Sequence, residues 1–132
     1  MNYVKEYLRA IQDGREVVSA KVRAVYEREC AWMDNPPFEW TFNEETGMHP
    51  IRFIETFCKH SKGKWSGKNV VLELFQRAKI QLAFGWVDAN GKRRFREVID
   101  LRARKCGKST ETSCVSLYML IADGEGGAEC YA

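Results

Sequence analysis

Apolar and polar positions along this chain alternate in two different rhythms, and the change between them sets the expected architecture. Tyr3, Val4, Tyr7, Leu8 and Ile11 recur at helical spacing, and Asp13-Gly14 breaks the run. A second helix is expected from about Glu16 to Trp32, with Val18, Val22 and Val25 on its apolar face, stopped by Asp34-Asn35-Pro36-Pro37. Phe38 to Thr46 reads as an aromatic, polar loop. Pro50 suits the first turn of a third helix, with Ile51, Ile54 and Cys58 on one face. Ser61 to Asn69 is a glycine- and lysine-rich connection, and Val71, Leu74, Phe75, Ala78 and Leu82 form the stripe of a fourth helix.

After the Asp88-Ala89-Asn90-Gly91 turn the rhythm changes. Phe95 to Leu101 reads as a strand, Arg102 to Lys108 as a basic loop, Ser109 to Ile121 as a helix, and Ala128 to Ala132 as the start of another strand beyond the Asp123–Gly127 turn. Strand, loop, helix, strand is a βαβ unit, which needs a parallel sheet. The expected fold class is therefore α/β. Residues 1–68 form a helical N-terminal region, and residues 69–132 begin a P-loop NTPase-like parallel sheet. Such a sheet needs more strands than the chain supplies, so the architecture reads as truncated. Val98, Ile99, Leu101, Leu117, Leu120 and Ile121 are expected to lack full cover.

Composition narrows the class without changing it. The 132 residues are 45% hydrophobic and 30% charged, a globular balance. No apolar run approaches the roughly 20 residues that span a bilayer, and the start lacks a signal-peptide pattern, so a cytoplasmic protein is expected. Five cysteines without a CxxC pair argue against a disulfide framework or a zinc site, and His49 and His60 are too few for a metal cluster. A net charge of +3 implies no particular partner. Two local clusters are sharper: four lysines between Lys59 and Lys68, and seven Lys or Arg between Lys92 and Lys105. A solvated surface accounts for such clusters as readily as a binding face.

The chemistry is concentrated in Arg102-Ala103-Arg104-Lys105-Cys106-Gly107-Lys108-Ser109-Thr110. Gly-Lys-Ser is the tail of a phosphate-binding loop. Backbone N–H groups wrap an anion there, and the following helix aims its positive end at it. Gly107 lets the backbone approach, Lys108 neutralises the β- and γ-phosphates, and the Ser109 hydroxyl reaches Mg2+. The tripeptide alone is a weak signal, because Arg102 stands where the loop's usual first glycine would be. A strand before it and an amphipathic helix after it strengthen it.

Arg104 to Thr110 resembles the arginine-rich Walker A loop, Arg-Lys-Asn-Gly-Lys-Ser-Thr, of phage terminase large subunits. Leu72-Glu73-Leu74-Phe75-Gln76, Phe84-Gly85-Trp86-Val87-Asp88, Arg93-Arg94-Phe95-Arg96-Glu97 and Tyr118 to Glu129 also resemble that family, as do Phe53-Ile54-Glu55 and Gly63-Lys64-Trp65-Ser66-Gly67. The resemblance covers nearly the whole chain. It implies an N-terminal part of the ATP-driven DNA-packaging motor, using ATP and Mg2+. Gln76 would read the adenine edge. Residues 102–110 would cradle phosphate, with Lys108 and Arg104 near the reacting phosphates and Ser109 on the metal. Cys106 departs from the family's Asn, which implies weakened rather than abolished phosphate binding. The family's Walker B acids and its two-metal nuclease have no counterpart here, so this chain alone is expected to be inactive. The implied partners are double-stranded phage DNA, a small terminase subunit and a portal protein, within an oligomeric motor in the cytoplasm of the infected bacterial host and with no membrane. The second reading is a non-catalytic DNA- or partner-binding module acting through the basic clusters.

Overall fold

The computed structural model describes residues 1–131, and it is helical. Five α-helices, α1 (Tyr3–Gln12), α2 (Ala20–Asp34), α3 (Glu44–Phe57), α4 (Leu74–Gly85) and α5 (Lys108–Ile121), are accompanied by two short strands, β1 (Thr41–Phe42) and β2 (Trp86–Val87). The strands pair antiparallel, Thr41 with Val87 and Phe42 with Trp86. Among the described residues no helix is long and apolar enough to cross a membrane.

This overturns the expected parallel sheet. Residues 95–101 form no strand, and residues 128–131 form none either. Val98, Ile99 and Leu101 are 56%, 88% and 95% exposed. A strand is defined by its hydrogen-bonded neighbour, and an isolated extended segment gains nothing from its β-forming side chains. Here neither half of the expected βαβ unit has a neighbour to pair with. Ala132, the last residue of the second expected strand, lies outside the described residues.

The helices begin where a side chain satisfies their free N–H groups. The Asn2 side chain accepts from the Lys5 N–H at 3.0 Å, and that of Asn43 accepts from the Thr46 N–H at 3.1 Å. The Asn43 cap, with Glu44 and Glu45 in the first turn, starts α3 six residues ahead of the expected proline. Pro50 sits inside the helix and is buried, giving up one intrahelical bond. α2 also departs from expectation. Ser19 caps it, so it starts later than Glu16, and its inner face carries Tyr26, Glu29 and Cys30 while Val22 and Val25 are exposed.

α4 is the central helix, packed on α3 along one side and on α1 along the other. Ile51, Ile54, Ile80 and Phe84 join Cys114 and Tyr118 of α5 in one apolar cluster, and Val4, Tyr7, Tyr26, Cys30 and Ala78 form a second. α3 and α4 approach closely at Gly47, where a Cβ would lie 2.7 Å from Gln81 Cγ and 2.8 Å from the Gln81 carbonyl oxygen. Gln81 is fully buried and uses both ends of its amide to hold the N-terminus. Oε1 accepts from the Tyr3 N–H at 2.7 Å, and Nε2 donates to the Met1 carbonyl at 2.8 Å. Around β2, the buried Trp86 meets Phe38 and Phe42 edge-on, each at 5.5 Å between ring centroids. Arg94 lies 4.3 Å from the centre of the Phe38 ring and bonds the buried Glu29 at 3.2 Å, so a cation closes this aromatic layer.

Candidate functional site

Residues 102–110 form a tight loop running into α5. Gly107 takes a left-handed φ of 70° immediately before the helix, a conformation that costs glycine little. Lys105 also has positive φ, at 62°, which is uncommon for a side chain with a Cβ. The Gly107 carbonyl accepts the Glu111 N–H at 3.0 Å, so the glycine is the true start of the helix. Two folds back in the chain within three residues turn the loop's backbone around the N-terminal end of α5, where unpaired N–H groups and the helix dipole favour an anion.

The lysine of the Gly-Lys-Ser triplet is turned inward. Lys108 Nζ donates to the Arg102 carbonyl at 2.6 Å and so lies across the loop it belongs to. Arg102 closes the loop from the other side, donating from Nη1 to the Cys106 carbonyl at 3.2 Å and from Nη2 to Glu111 at 2.9 Å. Its guanidinium also pairs with Asp100 at 2.9 Å and stands 5.5 Å from the centre of the Phe75 ring. Its Nε is buried without a hydrogen-bond partner.

Beneath the loop lies an ionic cluster that sequence reading missed. Glu111 is 5% exposed and contacts Arg102, Lys79 and Gln76. Lys79 also pairs with Asp100. Burial works against the Asp100 carboxylate, but its bonds to Lys79 and Arg102 outweigh burial and hold its pKa below the ordinary value. Glu111 has a weak sequence signal, being an acid in the first turn of a helix. Nothing in the local sequence shows that it is buried, because burial depends on α4 lying alongside.

The expected site residues divide into three groups. Gln76, Arg102 and Lys108 meet at the inner wall of the loop: Gln76 Nε2 is 3.8 Å from where a Cβ on Gly107 would stand. Ala103, Arg104, Lys105 and Cys106 are exposed on its outer rim, and the Cys106 thiol donates to the Arg104 carbonyl at 3.7 Å. Ser109 and Thr110 point to the opposite side of α5. There, with Ser113, Lys59 and Lys62, they line an open cavity of about 490 Å³. The fold thus brings the Lys59–Lys68 loop against the first turns of α5.

That lysine loop is closed by a bridge between Lys59 and Asn69. Trp65 is half exposed at its tip, with the Lys64 and Lys68 ammonium groups 5.2 and 5.0 Å from the ring centre. Among the described residues none of its four lysines takes part in an ion pair, whereas Arg23, Arg28, Arg52, Arg77 and Arg93 all do. No three His, Cys, Asp or Glu side chains among the described residues converge as a metal site. The Ser109 hydroxyl, expected on the metal, lines the cavity beside Lys59 and Lys62 and not the inner wall that holds Lys108. No protein-family model, curated protein or solved structure matches this chain.

Proposed function

We propose that the chain binds ATP through residues 102–110, as the nucleotide-binding front of a terminase-type DNA-packaging motor. The observation that carries this reading is the posture of Lys108 behind a left-handed Gly107 at the head of α5. Its ammonium sits over the loop on a carbonyl oxygen, a contact that an incoming phosphate oxygen can replace. Arg104 and Lys105 add positive charge on the exposed rim. The two acids nearest the loop, Asp100 and Glu111, are already neutralised by Lys79 and Arg102. Neither is free to orient a water for attack, so this chain holds the nucleotide without hydrolysing it. The family resemblance adds the wider setting: the cytoplasm of an infected bacterium, double-stranded DNA, a small terminase subunit and a portal protein.

A second reading rests on a separate observation, the unpaired lysines around Trp65, which suit a nucleic-acid backbone or an acidic partner. One experiment separates the two. A thermal melt with Mg·ATP at a hundredfold excess over Kd should stabilise the wild type by about 2.7 kcal/mol and leave Lys108→Ala unmoved. Charge reversal of Lys59, Lys62, Lys64 and Lys68 should preserve that shift and abolish salt-sensitive DNA binding. A cooperative melt with no nucleotide shift in the wild type overturns the ATP reading.

A further inference from the structure

Residues 97–103 run without a turn or bend, yet they pair with nothing. Among the described residues no N–H or C=O from Phe95 to Leu101 makes a backbone hydrogen bond. Val98, Ile99 and Leu101 stand exposed along the same stretch. Unpaired backbone beside β-forming side chains is a template for a strand from another chain. The charges of the segment, Arg96, Glu97 and Asp100, say which chain fits.

Two copies of one strand related by a two-fold axis pair antiparallel. Directly opposed side chains share a face of the ribbon, and successive ones alternate, so some residue must face its own copy. Naming that residue fixes every other pair. With Val98 at the centre, Arg96 faces the second copy's Asp100, Asp100 faces its Arg96, and Phe95 meets Leu101. Both charge pairs are opposite in sign, and an aromatic ring packs on an aliphatic side chain. Centring on Glu97 or Asp100 opposes two carboxylates, and centring on Arg96 opposes two guanidinium groups. Centring on Phe95 sets Arg94 against Arg96, and centring on Ile99 sets Arg96 against Arg102. Centring on Leu101 needs Arg102, which is tied to the Cys106 carbonyl and to Glu111 within its own loop. Like charges directly opposed destabilise a strand pair, so one register is left. Arg96 is exposed and, among the described residues, in no ion pair, so it is free to reach across.

We propose that residues 95–101 are a docking edge for a second copy of this chain, paired antiparallel on a two-fold axis through Val98. This does not depend on the nucleotide reading. A two-stranded ribbon is a small interface, so the dissociation constant is on the order of 100 µM. At the low micromolar concentrations of an unfolding experiment the chain is then a monomer with this segment exposed.

Sedimentation equilibrium of the full chain, at concentrations that bracket that constant, should show a reversible monomer–dimer equilibrium. The ribbon draws on the N–H groups of alternate residues, so either Val98→Pro or Ile99→Pro removes one that it needs. At least one of the two should abolish the dimer, and neither takes away a backbone bond that the monomer uses. The register is read by cross-linking with oxidised glutathione, the exposed Cys106 and Cys130 first being replaced by serine. Val98→Cys should give a covalent dimer. Ile99→Cys should not, because its two copies lie two residues out of step, beyond the reach of a disulfide. A monomer at every concentration overturns the proposal, as does a dimer that survives both prolines. Cross-linking through Ile99→Cys as fast as through Val98→Cys overturns it too. If neither proline variant folds, Arg96→Glu, a change at an exposed side chain, must weaken the dimer by about tenfold or more. A dimer that Arg96→Glu leaves unchanged overturns the proposal.

Discussion

Residues 1–87 and residues 88–131 are held together by different forces. Among the described residues, only Cys114 and Tyr118 of the buried apolar side chains come from beyond Val87. The first region closes α1, α3 and α4 around each other with Val4, Ile51, Ile54 and Trp86 at or near zero exposure. The second leaves Leu117, Leu120 and Ile121 of α5 at 42%, 48% and 64% exposure. α5 stays in place through Tyr118, whose ring meets His49, Phe53 and Phe84 and whose hydroxyl bonds His49 Nδ1 at 2.9 Å. Polar ties supply the rest: Arg93 grips Asp123 with one guanidinium nitrogen at 2.6 and 2.5 Å, and Glu111 gathers Lys79 and Arg102. Apolar burial is not weakened by charge screening, whereas ionic ties on a half-covered helix are. The loop of residues 102–110 therefore stands on the half of the molecule that polar ties hold.

The sharpest way to break this comparison is to remove apolar volume from each half. Ile54→Ala should cost about 2–5 kcal/mol in urea unfolding, because it empties a site that is fully enclosed. Ile99→Ala or Leu101→Ala should change stability by no more than about 0.5 kcal/mol. Comparable losses would mean that residues 95–101 are covered in solution.

A smaller effect probes the crossing of α3 and α4. Gly47→Ala places a methyl group against Gln81, including its backbone oxygen, and should destabilise by about 1–3 kcal/mol. Gly126→Ala, which meets nothing within 4 Å, should be silent in the same melt. A silent Gly47→Ala would show that the two helices have room to part.

The smallest effect concerns pH. Burial pushes the Cys114 thiol up to about 12, with the neighbouring Cys58 adding to it, from an ordinary 9.0. Below that ordinary value both the folded and unfolded chains keep the proton, and the contribution to stability is complete. As pH rises further only the unfolded chain releases it, so stability falls toward the folded pKa. The midpoint of urea unfolding should decline as pH climbs past 9, and less steeply in Cys114→Ala. An identical slope in the two proteins would place the Cys114 thiol in water and α5 away from Cys58.

Several of these features were readable one residue at a time. α1 and α5 follow from helical spacing and from the breaks at Asp13-Gly14 and Asp88–Gly91, whereas α4 follows only in part: Val71 of its expected stripe lies ahead of the helix and is exposed, and Ile80, Gln81 and Phe84 are buried with Ala78. The six side chains expected to lack cover are all exposed. α3 was half legible. Asn43-Glu44-Glu45 is a cap with an acidic first turn, a signal as good as Pro50 and nearer the true start, but proline at a first turn is the more conspicuous mark. α2 was misread on its faces because its valines are exposed while Tyr26, Cys30 and a charged Glu29 turn inward. That face exists only because Tyr7 offers Tyr26 an edge at 4.9 Å and Arg94 and Arg28 reach Glu29.

By itself the sequence determined the local events: where helices can start and stop, that Gly107 can turn the chain into α5, and that Lys108 follows it. These depend on dihedral freedom, caps and side chains within a turn of one another, all of which a few neighbouring residues specify. Whether Phe95–Leu101 becomes a strand, and whether Glu111 is a solvated acid or the hub beneath the loop, was decided only in three dimensions. A strand needs a partner's backbone, and a buried carboxylate needs cations delivered from another helix. No pattern within seven residues can say whether either will arrive. The fold supplied Lys79 and Gln76 to Glu111 from α4, and it supplied no neighbour to Val98, Ile99 and Leu101.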